Sequence, residues 1–411
     1  MHKLVIGNVP RGKDYFGQKV LIKNLWRKLE KDNILLTAPR RFGKTGAMYC
    51  LADNPQKFFE PVILNVEPIT SPSNFIVELT AKLYKKSSFR KKIVSLWNKK
   101  KYFFSFLRDS ISNIDIGGLK IELRKHTEIV QNWESYGEEL LSLLSTNTPR
   151  LLLIIDEFPI MINHIAKNDI KEAEKLLRWF RSIRIASETQ TRFVVGGSIN
   201  LVSTLNKLNL VDTINDLFVQ KVNVFSRKTA GQFIKETFAN EIISGNQKFK
   251  ISDELVDFIL ELVGAPIPYL LAVFLNAILE HQQENNIKKI TKDNILKIFE
   301  EDLLSGATSI TFQHYRSRID QYYFDLDGDA AKSILNFLSQ TSHSVKKETL
   351  YQIFLRKTNL SPDNKSYDNF SDLMARLEND FYLKEIKQKY SFFSRVLQLW
   401  WKNNYGYQEV Y

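Results

Sequence analysis

The sequence predicts an α/β chain built on a parallel sheet, followed by helical segments and a small β-containing C-terminal part. Three observations carry this. Uninterrupted apolar runs recur at Ile34-Leu35-Leu36, Val62-Ile63-Leu64, Leu151 to Ile155 and Phe193-Val194-Val195. A run without polar alternation suits a strand buried on both faces, with helices covering each side of its sheet. The intervening segments show helical spacing, as at Leu21, Leu25 and Leu29, which lie one above another on a helix. Finally, the runs end in residues that carry chemistry: Gly43-Lys44-Thr45, Asp156-Glu157 and Gly196-Gly197-Ser198. In open α/β sheets the carboxyl ends of the strands are where ligands bind.

Taken in order, residues Gly17 to Lys31 read as a helix leading into the first strand. A loop follows it, then a helix with Ala47, Met48 and Leu51 on its apolar side. Val62 to Val66 is a second strand, and residues near 75–107 read as helical. Gly117-Gly118 between short apolar runs is a hairpin signal, so a β-hairpin insertion is expected at about 108–125. The acidic strand comes next, then a helix near 170–187, the strand at 192–198, and a last core strand from Phe218 to Phe225. Residues 228–327 read as helical, interrupted by Gly264-Ala-Pro-Ile-Pro268, which ends one helix and starts another. Asp327-Gly328-Asp329 marks a boundary. Beyond it, helices near 331–340, 346–357 and 367–379 precede short strands at Phe381–Ile386 and Tyr390–Phe393, joined by Lys387-Gln388-Lys389. Three helices and two strands resemble a winged-helix domain; a last aromatic helix carries Leu399, Trp400 and Trp401. The expected domains are a core at 1–227, a helical lid at 228–327 and a winged-helix-like domain at 328–411.

The loop Ala38-Pro39-Arg40-Arg41-Phe42-Gly43-Lys44-Thr45-Gly46 has the form of a phosphate-binding P-loop. Loop amides and a helix N-terminus would face the anion. Lys44 would reach the β- and γ-phosphates, and the Thr45 hydroxyl would sit on Mg²⁺. Two features depart from the usual pattern. Ala38 stands where the first glycine is expected and fits only with negative φ. Pro39 has no N–H to give a phosphate. Asp156, at the end of its buried strand, resembles the Walker B carboxylate that holds Mg²⁺. Glu157 would orient or deprotonate the attacking water, and Ser198 could hydrogen-bond the γ-phosphate or that water. Arg178, Arg181 and Arg184 recur every third residue before the 192 strand; they are either a solvated basic face or a source of an arginine finger.

Composition bounds the rest. The 411 residues allow two or three domains. The net charge of +12 permits acidic partners without identifying one. Lys82 to Lys101 contains no acidic residue and interleaves Tyr84, Phe89 and Trp97 with its cations. That texture fits either nucleic acid or an ordinary helix with inward aromatics. Cys50 is the single cysteine, so no intramolecular disulfide can form, and a small core residue is expected. The histidines show no ligand spacing, and structural zinc is not expected. Neither a signal peptide nor a membrane span is evident, and a cytoplasmic protein is expected.

The motif order resembles the archaeal-type ATPases of the STAND branch of P-loop NTPases, relatives of the AAA+ proteins. Tyr15-Phe16-Gly17-Gln18 is similar to that family's entry motif, with Gln18 in place of its arginine. Ala38 to Thr45 looks like its P-loop variant, Asp156-Glu157 like its Walker B and Gly196-Gly197-Ser198 like its sensor-1 strand end. Gly264-x-Pro266 is similar to its Gly-x-Pro motif, and Phe393-Ser394-Arg395 through Trp400-Trp401 to its C-terminal signature. The resemblance implies a strand order of 5-1-4-3-2, ATP with Mg²⁺, Pro266 against adenine, and a lid and winged helix whose arrangement follows the nucleotide. The function this implies is a slowly hydrolysing switch ATPase acting on an unidentified protein partner, with a nucleotide-dependent homo-oligomer left open. Two alternatives stand beside it: a DNA-associated ATPase using the winged helix and the basic tract, and a nucleotide-binding scaffold without hydrolysis. Residues 367–379 carry Asp368, Asp372 and Glu378 against Arg376 alone, which suits a protein partner better than a DNA groove.

Overall fold

The computed structural model describes residues 2–407 except 40, 100–130, 146–147, 187–189, 198–200, 241, 244–246, 249, 286, 288, 307–308 and 324–325. The expected hairpin at 108–125, together with Arg40 and Ser198, therefore lies outside the described residues. The chain divides into two compact units. A sheet unit comprises 18–40 and 44–222; a C-terminal unit comprises 1–17, 41–43 and 223–411.

In the sheet unit, α1 (Lys19–Leu29) precedes β1 (Asn33–Thr37), and α2 (Lys44–Asp53) starts at the P-loop lysine. Then follow β2 (Phe59–Asn65), α3 (Pro72–Lys85), α4 (Ser87–Lys99) and α5 (Trp133–Ser145). The acidic strand is β3 (Arg150–Asp156), followed by α6 (Phe158–Asn168) and α7 (Ile170–Ile185). The unit closes with β4 (Arg192–Gly197), α8 (Leu201–Lys207) and β5 (Leu217–Lys221). Five strands form one parallel sheet in the order β2-β3-β4-β1-β5, which is the order 5-1-4-3-2 read from the opposite edge. The apolar runs explain the inner positions. Leu151 to Ile155 are all buried, as are Ile34 to Leu36 and Phe193 to Val195, and a strand flanked on both sides needs apolar side chains on both faces. β5 is shorter than the expected Phe218–Phe225 strand. It is an edge, with Phe218 and Val219 partly in water, and after Lys221 the chain leaves the ladder.

Asn33 ties the strand starts together. Its carboxamide oxygen accepts from the Phe193 amide at 3.1 Å, and its NH₂ donates to the Arg184 carbonyl at 3.4 Å. α7 has its N-terminus capped by Asp169, which accepts from the Lys171 amide at 2.8 Å.

The C-terminal unit begins with α9 (Arg227–Asn240) and a short β6–β7 pair (Ile242–Ile243 and Gln247–Lys248). α10 (Asp253–Val263) and α11 (Pro268–Glu284) are separated by the Gly264-Ala-Pro break. α12 (Lys292–Ile298) and α13 (Ile310–Tyr322) come next. α14 (Leu326–Ser339), β8 (Val345–Lys346), α15 (Lys347–Thr358) and α16 (Asn364–Asn379) lead into β9 (Leu383–Ile386), β10 (Lys389–Phe392) and α17 (Arg395–Tyr405). The three short strands make an antiparallel sheet in the order β8-β10-β9; β8, a two-residue addition, is too short to show periodicity in the sequence. Trp400 and Trp401 are buried, and the Trp401 indole N–H donates to Asn336 at 2.7 Å. No helix among the described residues is long and apolar enough to cross a membrane.

Two glycines in this unit cannot be replaced cheaply. Gly264 has φ +74°, and a Cβ there would lie 2.9 Å from the Arg395 Cβ; Gly17 has φ +74° with Thr229 Cγ2 at 2.5 Å. Left-handed backbone and overpacking would each cost about 1–2 kcal/mol or more. Gly264→Ala and Gly17→Ala should therefore each lower stability by about 2 kcal/mol or more in chemical denaturation. Gly7→Ala, with nothing within 4 Å, should change it by less than about 0.5 kcal/mol.

Candidate functional site

Four of the residues singled out by sequence meet at the carboxyl ends of β1 and β3. Lys44 is buried, with Nζ 3.5 Å from Asp156 Oδ1 and 3.7 Å from Glu157 Oε1. The Thr45 hydroxyl donates to Asp156 Oδ2 at 2.7 Å, and the Glu157 amide donates to Asp156 Oδ1 at 3.0 Å. The two strands are not neighbours; β4 lies between them. Lys44 and Thr45 reach across because they open α2, and Asp156 is the last residue of its strand.

β4 allows this only because it ends in two glycines. A Cβ at Gly196 would lie 2.6 Å from Met48 Cε, 2.9 Å from the Leu36 carbonyl oxygen and 3.2 Å from Lys44 Cδ. At Gly197 it would lie 2.2 Å from Pro159 Cδ and 3.5 Å from Glu157 Oε2. The first glycine thus makes room for the lysine stem, and the second for the turn that carries Glu157. Glu157 itself is left-handed, at φ 62°. Such a conformation in a residue other than glycine costs of order 1–3 kcal/mol and persists where its surroundings enforce it. It turns the chain from β3 into α6, whose first turn contains Pro159, a residue suited to that position.

The loop before Lys44 resolves the two sequence oddities. Ala38 is not among the positive-φ residues, so the missing glycine is tolerated; the left-handed positions are Arg41 at 72° and Gly43 at 89°. Phe42 between them has negative φ, and Lys44 is already helical. Left-handed residues beside a helical one, here Gly43 before Lys44, are the backbone pattern from which anion-binding nests are built. Residues 41–43 belong to the C-terminal unit, where Arg41 stacks over the Tyr269 ring at 4.0 Å and Phe42 is fully buried. The sequence links neither Tyr269 nor Phe381 to Phe42, and it marks Phe393 only as part of the C-terminal signature: residues so remote leave no local pattern. Phe42 itself, an aromatic within a phosphate loop, was the available signal.

Pro266 lies in the C-terminal unit after the Gly264 turn, and its carbonyl accepts from the Phe225 amide at 3.1 Å. The thiol of Cys50 is only half-buried, on α2, and its pKa is pushed up by that burial. The arginines of α7 are each engaged by acids. Arg184 is buried and makes a two-pronged contact with Asp216, Nε to Oδ2 and Nη2 to Oδ1 at 2.8 Å each. Arg178 bonds Glu174 at 2.8 Å and Asp212 at 3.3 Å, and Arg181 lies 4.0 Å from Asp216. The expected solvated face is therefore one-third structural.

A hydroxyl and a carboxylate oxygen side by side, with a second carboxylate adjoining, are hard oxygen donors that suit Mg²⁺. Such sites use one or two protein carboxylates and take their other ligands from water and substrate phosphates.

No protein-family model matches the sequence, and no curated protein matches it. Solved structures do. A Walker-type ATPase of Pyrococcus abyssi superposes with TM-score 0.59 at 16% identity, covering 97% of this chain and 99% of that one. The ORC2 protein of Aeropyrum pernix, solved in ADPNP–ADP complexes, superposes with TM-score 0.54 at 11% identity, covering 97% of each chain. These likenesses are to the fold, a five-stranded parallel sheet in the P-loop ATPase order.

Removing one partner of a buried, bidentate pair leaves the other charge uncompensated. Arg184→Met should therefore lower stability by about 3 kcal/mol, whereas Arg178→Met, at an exposed pair, should lower it by less than about 1 kcal/mol. Urea denaturation of both variants checks this; equal effects would contradict the assignment of Arg184 as structural.

Proposed function

We propose that this chain binds ATP with Mg²⁺ and hydrolyses it slowly, as a switch whose nucleotide state controls contacts of its C-terminal unit with a protein partner. The observation that carries the reading is the buried meeting of Lys44, Thr45, Asp156 and Glu157 at the carboxyl ends of β1 and β3. The sheet order and the two structural neighbours support it, since one is a Walker-type ATPase and the other was solved with ADPNP and ADP.

In this reading the Lys44 ammonium, held between two carboxylates, turns to the β- and γ-phosphates when they enter. The loop amides of residues 41–44 and the N-terminus of α2 face the same anion. Thr45 and Asp156 would hold Mg²⁺, whose chemistry when bound would be neutralisation of charge on the phosphates. Glu157, fixed by its left-handed turn, orients the attacking water and takes its proton. Ser198 would assist at the γ-phosphate, and Pro266 would lie against adenine. Basal turnover is slow because the α7 arginines are occupied by acids, and an arginine finger is worth ~10³–10⁵ in rate.

Output through a protein is favoured over output through DNA by the surface of α16. Asp368 and Asp372 are exposed on it, while Arg376 is held by Asp327 and lies over Tyr323. A groove-reading helix presents basic or amide side chains within a positive field; Lys365 and Asn369 are exposed on α16, but the two carboxylates oppose that field. The switch reading, the partner and a nucleotide-dependent homo-oligomer rest on the family resemblance.

Phosphate release by the wild type, Lys44→Ala and Glu157→Gln tests the proposal. Loss of a charge-stabilising donor should slow turnover about 10²–10³-fold, and loss of the base by at least about 10²-fold. Glu157→Gln should still bind ATP. Unchanged turnover in both variants would refute the reading.

A further inference from the structure

The tip of the phosphate loop is packed into the C-terminal unit. Phe42 has no exposed surface, and its ring centroid lies 4.7 Å from that of Phe381 and 6.4 Å from that of Phe393. Phe381 and Phe393 meet edge to face at 4.8 Å. On either side of Phe42, Arg41 stacks on Tyr269 at 4.0 Å, and Gly43 lies against the Tyr15 ring, 3.4 Å from where its Cβ would be.

Phe381 is rigidly placed. It is left-handed, at φ 59°, in the turn that ends α16. The Phe381 amide donates to the Glu378 carbonyl at 3.0 Å, and the next amide, of Tyr382, to the Leu377 carbonyl at 2.9 Å. The Phe393 amide donates to the Tyr382 carbonyl at 2.8 Å, which couples the two rings through the backbone. Asp380, just before, is part-buried, lies 3.9 Å from the buried Arg318 and accepts from the Tyr323 hydroxyl at 2.8 Å. The Tyr382 hydroxyl donates to the Tyr315 carbonyl at 2.7 Å. A buried polar network with its members paired specifies one arrangement.

The loop needs such support. Arg41 is left-handed without being glycine, a conformation that persists only when surrounding contacts enforce it. Phe42 would otherwise expose a large apolar ring. Arg41, Phe42 and Gly43 are consecutive in the loop, and the residues on either side of the ring are the left-handed ones, so what holds the ring also constrains the amides beside it.

We infer that Phe381 and Phe393 are positioning residues for the phosphate loop: by gripping Phe42 they hold residues 41–43 in their observed conformation, on which the affinity for a nucleoside triphosphate depends. The inference rests on the ATP reading for its ligand, but its geometric part is independent of it. Loss of the Phe381 ring should therefore loosen residues 41–43, and bound phosphate should favour the gripped loop in return.

The test is a double-mutant cycle with two readouts on the full chain. Affinity for a fluorescent, non-hydrolysable ATP analogue with Mg²⁺ is measured for the wild type, Phe42→Ala, Phe381→Ala and the double variant, with Phe381→Leu as a conservative control. Hydrogen exchange of the peptide covering 38–46 is followed in the same proteins without nucleotide, and melting curves confirm that each is folded. Each single alanine variant should weaken binding about tenfold and speed exchange in 38–46. The double variant should be no weaker than the worse single, and Phe381→Leu should recover most of the affinity. Additive losses, or unchanged exchange in 38–46 on Phe381→Ala, would overturn the inference. A wild type that binds no analogue would refute the ATP reading, and the exchange data would still decide whether Phe381 holds the loop.

Discussion

An ammonium and two carboxylates share one buried corner of the sheet unit, and the rest of the structure is arranged around that cost. Lys44, Asp156 and Glu157 have side chains 5%, 7% and 15% exposed. Desolvating three charges costs several kcal/mol per ion, and mutual attraction seldom does more than repay it. A fold built only for stability would place apolar side chains there. The cluster makes sense as a site prepared for a more highly charged occupant, in which Lys44 exchanges carboxylates for phosphates and Thr45 and Asp156 are brought to a cation.

Several local features follow from holding those groups together. β4 must pass between the two contributing strands without side chains at its end, which is why Gly196 and Gly197 are glycines. Glu157 must leave the axis of β3, and does so through a left-handed residue where glycine would be easier. The loop ahead of Lys44 must present amides, and its strained residue is Arg41 rather than a glycine. At two of the three left-handed positions, Arg41 and Glu157, a residue other than glycine puts side-chain identity above backbone comfort, a pattern expected at functional sites.

Much of the sheet unit was legible in the sequence because buried strands and their polar ends are local features. Leu151 to Asp156 announces a strand and its acidic terminus in one run, and the sheet order inferred from the family resemblance is the one observed. The end of β5 was not legible, since Val222 and Val224 continue the apolar texture after pairing stops. The α6 helix at Phe158–Asn168 also went unread: Pro159 resembles a breaker, yet at a first helical turn it is an initiator. Arg184 looked like its surface neighbours at three-residue spacing, and only the position of Asp216 shows it to be structural. The grip on Phe42 was invisible for a deeper reason, since it joins residues more than 300 positions apart whose only shared mark is aromaticity.

The central claim, that the buried charge cluster is a metal–triphosphate site, is tested most directly by calorimetric titration of the whole chain with ATP, with and without Mg²⁺, at matched ionic strength. The account predicts one saturable site whose affinity rises at least about tenfold with Mg²⁺ (about 1.4 kcal/mol), an enhancement that Asp156→Asn removes. Binding that ignores Mg²⁺, or an enhancement that survives Asp156→Asn, would contradict it.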